Sequence, residues 1–204
     1  MIVDRTDDQI ERDVRHIRTT YSICDSSPID PMTIIVKLKE RRVDFDYVRV
    51  SVSEMGSTEA EWDSQNNILR IREDIYRGMN AGLPRALYVF AHELAHYFYE
   101  HDGIRRRSSS REIYEKAVAK IRRQERLAER FAARFLAPLY LVQKGVTVDE
   151  LRRRFCLSER AAEIRREEIE RHFRIESGEK RPIPSFFDQF MNDLKSGRFP
   201  PTQG

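Results

Sequence analysis

His92-Glu93-Leu94-Ala95-His96 sets two imidazoles four residues apart, with a carboxylate directly after the first. In a helix that spacing is one turn, so both rings stand on one face and can grip one metal ion. The glutamate then stands where it can take a proton from an attacking water. Such a pentapeptide arises by chance on the order of once per hundred chains of this length. The chemistry it points to is metal-assisted hydrolysis.

A catalytic zinc needs a third protein ligand and an open position. The segment from Glu112 to Ala137 repeats apolar residues in steps of three or four, among them Ile121, Ala128, Ala132 and Phe135, and Glu125 falls in that series. A carboxylate on an apolar stripe is costly unless it is paired or bound to a metal. Glu125 is therefore the first choice for the third ligand, against the plainer reading that it pairs with Arg122 or Arg126 on a solvated face. His101 is the rival. It follows His96 by five residues, which turns it away from the histidine face if the helix continues, and a surface histidine at a helix end is its plainer reading. Glu129, one turn after Glu125, is placed to accept a hydrogen bond from a ligand histidine and fix its ring. His101 and Glu129 are thus expected behind the ligands.

These residues need two helices to hold them. "PRALYVFAHELAHYFYEH" opens with Pro84 near its first position and is apolar on most sides, so it should be a buried helix. The second helix runs from about Glu112 and stops at Pro138. Upstream, residues 4 to 20 read as a polar helix and "PMTIIVKLKERR" as another. "VDFDYVRVSV" alternates like a strand. "AEWDSQNNILRIRE" reads as a hairpin turning at Gln65-Asn66-Asn67. Its second strand, Ile68 to Ile71, is expected to pair with an extended substrate. Beyond Gly145, Thr147 and Glu150 form a capping box before one helix, and a second helix opens at Ser158, with a turn at Cys156-Leu157 between them.

The 204 residues carry a net charge of +3, with 40% hydrophobic and 35% charged residues, which describes a charge-rich globular chain with no strong pull toward nucleic acid. Cys24 and Cys156 lie far apart, so neither a disulfide framework nor a cysteine zinc site is expected, and a cytoplasmic location fits. No signal peptide or membrane span is expected. Residues 159 to 170 hold five acidic residues against three arginines, so direct DNA binding by that helix is not expected and a packing or docking role is favoured. Residues 102 to 134 hold eleven Lys or Arg against five Asp or Glu; the plain reading is a solvated face, the functional one an electropositive rim including Arg105, Arg106 and Arg107.

"FAHELAHYFYEH" followed by "ERLAERFAARFLAP" resembles the ImmA/IrrE family of zinc metallopeptidases. The resemblance covers roughly residues 30 to 140 and departs from the family pattern at Glu129, where Asn or Asp is usual. It implies an α+β, zincin-like domain with a small sheet packed on the active-site helix. It further implies one zinc ion per chain bound gluzincin-like by His92, His96 and Glu125, with Glu93 as catalytic glutamate. The expected organisation is a helical extension at 1–29, the peptidase domain at 30–144, a helix-turn-helix-like pair at 145–175 and a terminal helix and tail at 176–204. The function implied is site-specific cleavage of a regulatory protein, typically a helix-turn-helix transcriptional repressor. The alternative, from another class, is a metal-stabilised module that sequesters its partner without cutting it.

Overall fold

The structure, a computed structural model, describes residues 5–25, 28–41, 44–101 and 111–179, with side chains from residue 117 onward in the last stretch. The rim arginines Arg105, Arg106 and Arg107 and the terminal segment from residue 180 lie outside the described residues. Two helices come first, α1 (Asp7–Thr20) and α2 (Pro31–Arg41). Thr6 and Gln9 close a reciprocal capping box on α1, which satisfies amides that the first turn cannot bond itself.

Strand β1 (Asp46–Val50), a short helix α3 (Val52–Met55), strand β2 (Ala60–Asp63) and strand β3 (Ile68–Arg72) follow. The sheet order is β1-β3-β2, with β1 parallel and β2 antiparallel to β3. The expected hairpin is present, its turn closing at Asn67 with φ 54°. The expectation that Ile68 and Ile71 meet a substrate strand is corrected by this order. They lie on the central strand, whose two edges are already paired, so neither edge is open to a further chain. The edge beside the helix that carries His92 and His96 belongs to β2.

Helix α4 (Glu73–Asn80) runs directly out of β3, with two acidic residues in its first turn. It was absent from the sequence expectations, although Ile75 and Met79 stand four apart and are both buried. Gly78 is required where α4 meets the next helix, because a Cβ there would lie 2.9 Å from the Ala86 Cβ. Helix α5 (Pro84–Phe98) has Pro84 at its start, as expected. Leu87, Phe90, Ala91, Leu94 and Ala95 on it are buried.

Helix α6 (Arg111–Leu136) packs along α5 more extensively than any other pair of elements meets. Its buried face carries Gln124, Leu127, Ala128, Phe131, Ala132 and Phe135. Glu125 is not inside that face, as the apolar series suggested. It lies about 100° round from Gln124, and its side chain is 48% exposed. After a 3-10 turn at Leu139–Leu141 come α7 (Val148–Phe155) and α8 (Glu159–Glu176), joined through Cys156 in the left-handed conformation. Thr147 with Glu150, and Ser158, cap them as the sequence requires. Leu151, Phe155, Ala162 and Ile169 from this pair share one hydrophobic core with Ile10 and Val14 of α1 and with the sheet. The first and last helices therefore pack as parts of the same body as the segment between them.

Candidate metal centre

Helix α5 aims His92 and His96 at the same point. Their Nε2 atoms are 3.1 Å apart. From α6, Glu125 Oε2 lies 3.1 Å from His92 Nε2, and its Oε1 lies 3.7 Å from His96 Nε2. Ligands at about 2.0–2.1 Å from a tetrahedral zinc sit about 3.3–3.4 Å from one another. The two ring nitrogens and the Glu125 carboxylate, which faces each imidazole with a different oxygen, thus stand near the spacing of a shared ion, and the donor set of two imidazoles and a carboxylate suits zinc. The ligand-type atoms of His92, Glu93 and His96 also lie within 4.8 Å of one another.

Glu93 turns the other way, toward the sheet. Its Oε2 accepts a hydrogen bond from the Trp62 backbone N–H at 2.8 Å. The pairing explains why that amide is available. The Glu59 carbonyl accepts from Arg72 N on β3, which turns Glu59, Glu61 and Asp63 toward that strand, and the alternation of an antiparallel ladder turns the backbone groups of Ala60 and Trp62 to the outer edge. Trp62 itself is held by stacking on Phe45 and by an edge contact with Tyr97. Neither Trp62 nor the outer edge of β2 was singled out in the sequence. Only the sheet order reveals them.

Electrostatics divides the group. Burial lifts the Glu93 carboxyl to about 7, although the charge of His92 and the Trp62 amide oppose this. Burial lowers His96 to about 4, against the pull of Glu125. His92 loses to burial too, but its hydrogen bond with Glu125 and the charges of Glu93, Glu125 and Glu129 hold it above the usual histidine range. The same hydrogen bond, outweighing desolvation, lowers Glu125. A neutral imidazole is the form that ligates a metal.

His101 stands directly behind His96. The two Nδ1 atoms are 3.0 Å apart, and His101 is 4% exposed. It arrives there because α5 does not continue. Glu100 adopts φ 50°, its amide bonds Tyr97 O, and the His101 amide bonds His96 O, which is the Schellman way of ending a helix. Glycine normally marks that turn, so a glutamate left no signal for it in the sequence. Burial and the neighbouring His96 lower His101 to about 4. Its Nε2 is buried and has no hydrogen-bond partner among the described residues. Glu129 sits one turn beyond Glu125 and is exposed; it acts on His92 through its charge and makes no hydrogen bond to either ligand histidine among the described residues. Tyr88, one turn before His92, also borders the centre, with ring centroids 6.3 Å apart.

Residues 44–167 match the model of the peptidase M78 family, the IrrE N-terminal-like domain. The chain belongs to that family. The matched span contains both helices of the metal centre and the whole sheet. No functionally curated protein matches the chain. Among solved structures, a Mycobacterium tuberculosis transcriptional regulator aligns with TM-score 0.51 at 15% identity, over 75% of this chain and 44% of that one. The likeness is one of fold, and the chain spans less than half the length of that protein. No described helix is long and apolar enough to cross a membrane.

Proposed function

We propose that this family member is a zinc-dependent endopeptidase that cuts a regulatory protein at a specific site. His92, His96 and Glu125 hold one zinc ion per chain, and Glu93 is the general base and then the general acid. The observation that carries the reading is the convergence of two imidazole nitrogens and a carboxylate from two helices, at 3.1 to 3.7 Å, beside a glutamate that bonds the sheet edge. When bound there, zinc supplies a Lewis acid that polarises a peptide carbonyl and acidifies water.

The chain's own residues do the rest. The edge of β2, with the Ala60 amide and the outward carbonyls of Ala60 and Trp62, offers backbone groups along which an extended peptide lies, which sets the scissile bond over α5, while the Trp62 amide stays on Glu93. Glu93 takes the proton of the attacking water as its oxygen bonds the carbonyl carbon. It then returns that proton to the leaving nitrogen as the C–N bond breaks. A carboxyl poised near neutrality suits both transfers. His101 sets the tautomer of His96. For His96 Nε2 to offer a lone pair to the ion, its Nδ1 must carry the hydrogen, and His101 Nδ1 then accepts it. The substrate class, a helix-turn-helix repressor in the cytoplasm, follows from the family resemblance.

The deciding comparison is wild type against Glu93→Gln, both loaded with zinc, acting on a candidate repressor encoded beside the gene. The expected result is equal metal content and a loss of cleavage of about 10²- to 10⁴-fold. A variant that keeps the full cellular effect would replace cleavage with sequestration.

A further inference from the structure

Next to the candidate metal centre, α5, α6 and α8 line a half-open cavity of about 430 Å³. It shares two helices with the centre. Tyr88 on its wall is one turn from His92, and Glu129 is one turn from Glu125, about 6 Å along the helix axis. Leu157, Ala133, Ala161 and Ile164 give the lining an apolar part. Ile164 is 44% exposed, a large aliphatic surface that the fold leaves facing this space.

The charges around the cavity are matched except at one position. Arg85 pairs with Glu59, Arg130 with Asp7, and Arg160 with Glu163. Glu168 pairs with Arg134 and Arg165. Among the described residues, Glu129 alone of the charged lining groups has neither an ion pair nor a hydrogen bond. Its charge is felt instead by Tyr88 and His92.

We propose that this cavity receives a substrate side chain that joins an apolar stem to a cation, an arginine or a lysine, with the cation against Glu129. The proposal rests on the peptidase reading and names the residue class that reading leaves open. A long basic side chain buries its methylenes along Ala133, Ala161 and Ile164 while its charge reaches the unmatched carboxylate. An acidic side chain meets like charge, and a purely apolar one leaves Glu129 partly desolvated without a partner. The volume lies within the range of ordinary ligand pockets, about 300–1,000 Å³, enough for one long side chain and the backbone that carries it. On an extended peptide the neighbouring residues lie about 3–7 Å from the bond being cut, which matches a cavity one helical turn from the ligands.

Two measurements test it on the full chain. In the first, hexylguanidinium, hexylammonium, hexanol and hexanoate are titrated into wild type, Glu129→Gln and Ile164→Ala, with and without zinc, and followed by amide chemical shifts. The cations should bind at least tenfold more tightly than hexanoate and shift Tyr88, Ala133 and Ala161. Glu129→Gln should remove that selectivity, and Ile164→Ala should weaken every stem-bearing probe. In the second, zinc-loaded wild type and Glu129→Arg are given a positional hexapeptide library. Arginine or lysine should be enriched at one position near the cut and give way to acidic residues in the variant. Selective cation binding with no cleavage of either the library or the candidate repressor counts for the cavity and against the peptidase reading. Cleavage without a basic preference, or a preference unchanged in Glu129→Arg, overturns the cavity proposal and leaves the peptidase reading intact.

Discussion

The middle of α6 and its last turns treat charge in opposite ways. Near the C-terminus, Arg134 is 2% exposed and sits among Asp7, Glu11 and Glu168. Arg165 of α8 is equally buried and is bound by Glu11, Glu168 and the Ala137 carbonyl. Opposite charges are brought together there, and each guanidinium is neutralised. Two turns upstream, Glu125 faces two imidazoles, with no lysine or arginine paired to it among the described residues. Buried charge alone is therefore a poor sign of function. What distinguishes the centre is nitrogen and oxygen donors converging on one point, the arrangement that would suit a metal cation.

The contrast can be broken at either end, and the largest effect is expected at the centre. If ligands share roughly 10–16 kcal/mol of apparent zinc affinity, losing one costs about 3–4 kcal/mol, several hundredfold or more. Glu125→Ala should show that loss in chelator competition while the melting temperature of the metal-free chain stays put. Stoichiometric tight zinc in this variant would move the third ligand elsewhere. At the other end, Arg165→Ala removes one of the two buried guanidiniums that Glu11 and Glu168 share, leaving them Arg134 alone, and should cost roughly 3 kcal/mol of stability. Urea unfolding measures it, and zinc stoichiometry should not change.

A third effect comes from Glu93. Burial raises its carboxyl from 4.5 to about 7, so the folded metal-free chain holds this proton more tightly than the unfolded one. That group's contribution to stability then falls as pH rises through the interval from 4.5 to about 7, by about 3 kcal/mol in all. Glu93→Gln removes the titration. Without metal it should gain on wild type between pH 5 and pH 8, and a pH-independent difference between the two would refute the shift. The smallest effect is expected from His101→Asn, which should lower zinc affinity about 10- to 100-fold. The ¹⁵N shifts of His96 should show its hydrogen leaving Nδ1, a change that simple loss of packing would not produce.

The local features of the centre were legible because they are written in spacing. The H-E-x-x-H turn, Pro84, the Thr147–Glu150 box and the Asn67 turn are each specified within a few residues. The features set by tertiary arrangement were not. The parallel pairing of β1 with β3 makes Ile68 and Ile71 central, and nothing within the hairpin announces it. Glu125 matched an apolar period, yet the buried face is centred nearer Gln124 and Phe131, which leaves the carboxylate at the margin where it opens onto the histidines. His101 reaches His96 through a left-handed glutamate, a conformation that glycine would have advertised. The ionic cluster joins residues more than 120 positions apart, as in Arg130 with Asp7, and sequence reading treated its members as surface charge.

The bond from the Trp62 amide to Glu93 has a practical corollary in spectroscopy. Trp62 is the single tryptophan of the chain, and its ring is clamped between Phe45 and Tyr97 while its backbone holds the glutamate beside the histidines. Its emission therefore reports on the centre without any label. A shift on adding metal, or on protonating Glu93, reads the state of the site against a dark background, and a peptide laid along the β2 edge would change the same signal.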